Sequence, residues 1–191
     1  NGLTWSKLTS TADNNPANFS AFDIVNRLAI NPTNGDVYAA IQRRIVRSSD
    51  GGNSWSEVLV GTTPASSIGG FADVMINRTG TRFYAAVTGR NPDRNLSGVF
   101  MSTTGNSGSW TRIAGGNEGG ADSVAGWRAY DNTVQAGEYT AGWGRVTFTL
   151  APSNQNLMYV LYENADKASA AKPEADLFRC DMSTTPFTWT N

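Results

Sequence analysis

Ser48-Ser49-Asp50-Gly51-Gly52-Asn53-Ser54-Trp55 brings hydroxyls, a carboxylate, two glycines and a tryptophan together within eight residues. The order Ser-x-Asp-x-Gly-x-Ser-Trp has a mechanical reading. A turn aspartate accepts hydrogen bonds from backbone N–H groups just ahead of it, which fixes a tight loop from within. Gly51 and Gly52 can take the positive φ that such a loop demands. Trp55 then offers a large apolar body to bury against a sheet and one indole N–H to satisfy. An isolated Asp-Gly-Gly hairpin turn has the same local chemistry, so recurrence decides between them.

The stretch recurs in degraded form. A hydroxyl residue precedes tryptophan at Thr4-Trp5, Ser54-Trp55, Ser109-Trp110 and Thr188-Trp189. Ahead of the last three lie matching apolar runs: Ile45-Val46-Arg47-Ser48, Val99-Phe100-Met101-Ser102 and Leu177-Phe178-Arg179-Cys180. The aspartate is not kept, since Thr104 and Met182 stand where Asp50 does. Further upstream, Leu28-Ala29-Ile30-Asn31 leads to Val37-Tyr38-Ala39-Ala40. Its counterparts are Val74-Met75-Ile76-Asn77 with Phe83-Tyr84-Ala85-Ala86, and Phe148-Thr149-Leu150-Ala151 with Met158-Tyr159-Val160-Leu161. Three signatures in one order, three times over, make a repeat array.

Composition narrows the function classes. A net charge of −1 over 191 residues favours neither nucleic acid nor an acidic membrane surface as partner. No apolar run approaches the roughly 20 residues of a membrane-spanning helix. The single Cys180 excludes an internal disulfide, and it replaces the serine that opens the loop, so it reads as a buried packing residue. Histidine is absent, which removes Ser-His-Asp and Cys-His catalysis and every histidine-based metal site within these residues. The loop also lacks the alternating carboxylates of a calcium site, so no metal and no cofactor is expected.

The spacing predicts strands near 23–31, 36–42, 44–49 and 54–60, then 71–77, 81–88, 97–103 and 109–114, then 144–151, 156–163, 176–181 and 187–191. Many of these are apolar in runs rather than in alternation, as when both faces of a sheet are covered. The fold class is therefore all-β: a β-propeller, or part of one, built from three four-stranded blades at 23–60, 71–114 and 144–191. Residues 1–8 read as the outer strand of a preceding blade, and 115–143 as a long inter-blade loop. Propellers close with about four to eight blades, so the expectation is a segment of one propeller whose remaining blades belong to the same parent chain.

In an antiparallel meander the first and third turns of a blade share one end, and the remaining connections share the other. Short turns with Asn, Gly and Pro fall on the side of the Asp50 loop. The other side carries the long segments 9–22, 61–70, 89–96, 115–143 and 164–175. Long loops in a compact domain carry function disproportionately, so a binding site is expected on that face. The segment 115–143 holds Trp127, Tyr130, Tyr139 and Trp143 beside Glu118, Asp122, Asp131, Glu138 and Arg128. Aromatic rings stack on the apolar faces of sugars while carboxylates take their hydroxyls. Trp127, Tyr130, Asp131 and Glu138 are thus candidate substrate-binding residues. The competing reading is that the aromatics pin a long loop onto the blade. No catalytic pair of carboxylates can be assigned.

The chain resembles the Asp-box propellers, also called BNR-repeat propellers, of the broad sialidase, xyloglucanase-type glycosidase and sortilin group. Ser48, Asp50, Gly52 and Trp55 match the box, and the role the resemblance implies for them is structural. It also implies a secreted or cell-surface location. Sialidases of the group imply an Arg-Ile-Pro motif, which this sequence lacks. Xyloglucanase-type enzymes imply a pair of aspartates across a cleft, and no position here matches those surroundings. Two functions follow as expectations: a carbohydrate-binding module, possibly part of a glycoside hydrolase, and a sortilin-like protein-interaction or adhesion propeller. Either a polysaccharide or a protein partner would use the long-loop face. Fold alone does not choose between them.

Overall fold

The computed structural model describes residues 2, 4–12, 22–60, 71–88, 98–115, 124, 125, 127, 145–163 and 175–191. They fold into three four-stranded antiparallel sheets with almost no helix. The first sheet is β1 (Val25–Ile30), β2 (Val37–Ile41), β3 (Arg44–Ser48) and β4 (Ser56–Val60). The second is β5 (Ala72–Ile76), β6 (Phe83–Val87), β7 (Gly98–Ser102) and β8 (Thr111–Gly115). The third is β9 (Val146–Ala151), β10 (Asn154–Glu163), β11 (Ala175–Asp181) and β12 (Thr188–Thr190). Each sheet is a simple meander in chain order.

Register follows the repeat. Leu28 pairs with Ala39, Val74 with Ala85, and Phe148 with Val160. Bulges interrupt the last pairing of the first two sheets at matching places, between Ile45 and Val46 and between Val99 and Phe100. The extra residue twists the outer strand away from its neighbour.

The second sheet lies between the other two. One of its faces contributes Val74, Phe83, Ala85 and Phe100 to a core shared with Tyr38, Ala40 and Ile45 of the first sheet. The opposite face contributes Tyr84, Ala86, Val99 and Ala114 to a core shared with Phe148, Met158, Val160 and Phe178 of the third. Both faces of β6 are therefore buried, which is why its five residues Phe83–Val87 are all apolar. Cys180 is fully buried in the second of these cores, and burial pushes its thiol up to about 12. It stays protonated and acts as a small apolar residue.

Residues 1–8 were expected as the outer strand of a preceding blade, and no strand of such a blade is present among the described residues. Residues 4–8 form no strand, and a single 3-10 turn follows at Thr9–Thr11. Trp5 is 91% exposed. A strand needs a neighbour to satisfy its backbone groups, and no other strand pairs with this segment among the described residues. The segment instead leans on the Asp50 loop: the Ser10 hydroxyl donates to the Gly52 carbonyl, and Leu8 lies over the Gly52 backbone. Among the described residues no helix is long and apolar enough to cross a membrane.

Candidate functional site

The two ends of the sheets differ in chemistry. At one end lies the turn between β3 and β4. Ser54 donates to Asp50 twice, from its N–H at 2.9 Å and its hydroxyl at 2.6 Å, and the Ser48 hydroxyl adds a third bond at 2.7 Å. These bonds, the Ser54 hydroxyl first, hold the Asp50 carboxyl at about 2, below its usual 3.8. Ser48 in turn accepts from the Gly52 N–H at 2.8 Å. Gly51 and Gly52 adopt φ of +72° and +91°. The Asp50 carboxylate and the Ser48 hydroxyl thus clasp the loop from within, while its Gly52 carbonyl accepts from Ser10 outside it.

The two counterparts keep the clasp by other means. In the second sheet Ser102 accepts from the N–H groups of Thr104 and Gly105, and its hydroxyl meets that of Ser109 at 2.7 Å. In the third, Asp181 accepts from the N–H and hydroxyl of Ser183, which lower its carboxyl pKa. Cys180 cannot replace the serine as an acceptor, and the neighbouring carboxylate takes over the loop.

At the opposite end β1, β5 and β9 begin, and their first residues converge. Asp73 is the hub. Its carboxylate accepts from its neighbour's Val74 N–H at 2.8 Å, from the Thr147 hydroxyl at 2.9 Å and from the Phe148 N–H at 3.1 Å. One Arg27 nitrogen lies 3.3 Å from each Asp73 oxygen and donates to the Phe148 carbonyl at 3.1 Å. Three sheets are thereby tied through one carboxylate that is almost fully buried. Arg27, Asp73 and Thr147 each stand one residue before a recurring signature, so they are the same position of three repeats.

Beside this hub lies a cleft of about 210 Å³ lined by Asn26, Arg27, Ala72, Asp73, Arg145, Val146 and Thr147. Its walls are mostly polar and carry two guanidinium groups. Asn26 Nδ2 is buried and has no hydrogen-bond partner among the described residues. A buried donor left unpaired is costly and uncommon. The volume is below the ~300–1,000 Å³ of sites that enclose drug-sized ligands, which restricts it to a single ring or the end of a chain.

Of the residues singled out in the sequence, Ser48, Asp50, Gly52 and Trp55 sit in the first turn, remote from the cleft. Trp127 is 8% exposed. Its ring stacks on Tyr162 with centroids 4.3 Å apart and planes 6° apart, and Phe178 and Trp189 close around it. The expectation of a ring face open to a sugar is corrected for this residue, because the third sheet already covers it. Tyr130, Asp131 and Glu138 lie outside the described residues. Arg27, Asp73 and Arg145 were not anticipated. For Arg27 and Asp73 the signal was present: with Thr147 they hold a strand position that is polar in all three repeats, immediately before residues that are apolar in all three.

No protein-family profile matches this chain, and none of the curated proteins matches it either.

Proposed function

We propose that the chain is part of a secreted or cell-surface Asp-box β-propeller that binds carbohydrate, with the cleft between Arg27, Asp73 and Arg145 at the centre of its binding face. What carries this is the convergence of one repeat position from three successive sheets onto Asp73. Equivalent positions meet when sheets are related by rotation about a common axis, and the innermost strands of a propeller are so related. The strands that flank the long segments 61–70, 89–97, 116–144 and 164–174 begin or end on the same side as the cleft. Guanidinium, amide and hydroxyl donors suit the oxygens of a polyol, and the charge is too localised to hold nucleic acid.

The chemistry favours binding over hydrolysis. Glycosidases use two carboxyl groups about 5–10 Å apart. Among the described residues that line the cleft Asp73 is the one carboxylate, and its oxygens are committed to Arg27, Thr147 and two backbone N–H groups. A second reading, a sortilin-like interaction propeller without sugar affinity, is favoured by Trp127, whose buried ring is no platform for a glycan.

Affinity electrophoresis through gels containing xyloglucan, mixed-linkage β-glucan or other soluble polysaccharides separates the two. Retardation by one polysaccharide, lost in Arg145→Ala while circular dichroism shows the variant still folded, is the expected result. A side chain donating to a bound sugar contributes about 1.5–3 kcal/mol when charged, or roughly ten- to a hundredfold in affinity. Free migration in every gel would leave the interaction reading in its place.

A further inference from the structure

The first sheet departs from the repeat at one residue beside the cleft. In the second and third sheets the residue before the hub position lies in a regular ladder: Ala72 pairs with Val87 and Val146 with Tyr162, and both are buried. In the first sheet the matching place in the ladder, opposite Ile41, is taken by Val25. Arg27 pairs with Ala40, so Asn26 is an extra residue with no partner across the ladder. A bulge of this kind re-aims a side chain, and bulges gather beside functional sites. This one puts an amide into the wall of the cleft, where its Nδ2 donor is buried with no hydrogen-bond partner among the described residues.

We propose that Asn26 is a specificity-determining residue whose amide donates to an oxyanion substituent of a sugar, a uronate carboxylate or a sulfate ester, held in this cleft. The inference rests on the carbohydrate reading of the site. The balance of donors and acceptors favours an anion over a neutral hydroxyl. A sugar hydroxyl gives a proton as well as taking one, and the one carboxylate among the described lining residues is already taken by Arg27, Thr147 and two backbone N–H groups. An oxyanion only accepts. Arg27 has donors to offer it: its bonds to Asp73 and Phe148 run through one terminal nitrogen, and its side chain is 37% exposed. A guanidinium carries five N–H donors in a fixed fork. Arg145 adds a second positive charge to the wall, against the single negative charge of Asp73. The cleft, at about 210 Å³, takes one sugar unit rather than a run of rings, so selection falls on the substituent.

Affinity electrophoresis of the full 191 residues through gels containing polygalacturonate, dextran sulfate or neutral xyloglucan tests this, with salt at about 0.15 M to screen distant charges. The wild type is retarded by an acidic polymer and not by the neutral one. Polygalacturonate and dextran sulfate separate the two sources of the oxyanion, a carboxylate or a sulfate. Asn26→Ala binds the retarding polymer roughly ten- to a hundredfold more weakly, the loss of one hydrogen bond to a charged acceptor. It melts no earlier than the wild type, because the donor removed has no partner to lose. Asn26→Asp, close in shape, puts a carboxylate against the oxyanion and abolishes retardation. Asn26→Ala decides between recognition and general attraction to a polyanion, since it leaves the net charge unchanged. Retardation by an acidic polymer that Asn26→Ala does not weaken overturns the proposal. An earlier melting point in that variant also overturns it, by showing the amide already bonded within the fold. Retardation by xyloglucan alone overturns the oxyanion and leaves the carbohydrate reading standing, whereas free migration in all three gels removes both.

Discussion

One guanidinium nitrogen of Arg27 lies 3.3 Å from both carboxylate oxygens of Asp73, and the two residues are the same position of consecutive repeats. The partners are unequal. The Asp73 side chain is 6% exposed and the Arg27 side chain 37%. Removing Asp73 strands the Phe148 and Val74 N–H groups in a buried site, whereas removing Arg27 opens a position that water can reach. Asp73→Ala should cost about 2–4 kcal/mol and Arg27→Ala about 1 kcal/mol, both read from urea unfolding. Equal costs, or the reverse order, would show that Asp73 is no hub.

Acid should act on the Asp50 clasp. Its carboxyl is held at about 2 in the folded chain against 3.8 for the free group, chiefly by the Ser54 hydroxyl and N–H. A lowered folded value means the native state prefers the charged form. The stabilisation is therefore complete above the unfolded value of 3.8 and is lost as pH falls through about 2. Melting temperatures of the wild type and Asp50→Asn, followed from neutral pH downward, should differ by a constant gap that closes across that interval. The parallel effect of Asp181 cancels in the difference. A gap that persists at the lowest pH would assign Asp50 a role other than its charged hydrogen bonds.

Two glycines of the second clasp separate backbone strain from collision. Gly105 and Gly108 have φ of +70° and +76°, so alanine is strained at both. At Gly108 an added Cβ meets open space, and the cost should be the roughly 1–2 kcal/mol of a left-handed residue alone. At Gly105 it would collide with the Tyr38 hydroxyl and lie 2.9 Å from the Phe83 ring. Those groups belong to the core between the first two sheets, and overpacking adds about 1–3 kcal/mol. Thermal unfolding of the two variants should rank Gly105→Ala clearly below Gly108→Ala. Equal melting points would mean the clasp does not press on that core.

The strands were legible because they recur. Val37-Tyr38-Ala39-Ala40 and Phe83-Tyr84-Ala85-Ala86 resemble each other, and the strands β2 and β6 lie within one or two residues of where that likeness puts them. The cleft was hidden by the same logic. Arg27, Asp73 and Thr147 are equivalent in place but opposite or neutral in charge, and a search for likeness passes over residues that bind because they differ. What they share is polarity beside an apolar signature. The segment at residues 4–8 is a different case: Thr4-Trp5 looks like the end of a motif, yet strand formation there depends on a partner that the described residues do not supply. Trp127 shows the limit for aromatics. Nothing within its own glycine-rich segment distinguishes a ring offered to a ligand from one claimed by Tyr162 of a distant strand.

That ambiguity makes Trp127 the sharpest test of how the long segment relates to binding. Its ring is sandwiched by Tyr162, Phe178 and Trp189, so Trp127→Ala removes a buried aromatic from the core between the second and third sheets. The expected loss is about 3–5 kcal/mol, most of it recovered in Trp127→Phe, which refills part of the volume. Retardation in a polysaccharide gel, compared at a temperature where both proteins are folded, should be unchanged by either substitution. The packing role predicts lost stability with binding kept, and a sugar platform predicts the opposite pair of results. An alanine variant that melts like the wild type but migrates freely through the polysaccharide gel would return Trp127 to the binding face and place the ligand over the segment it belongs to.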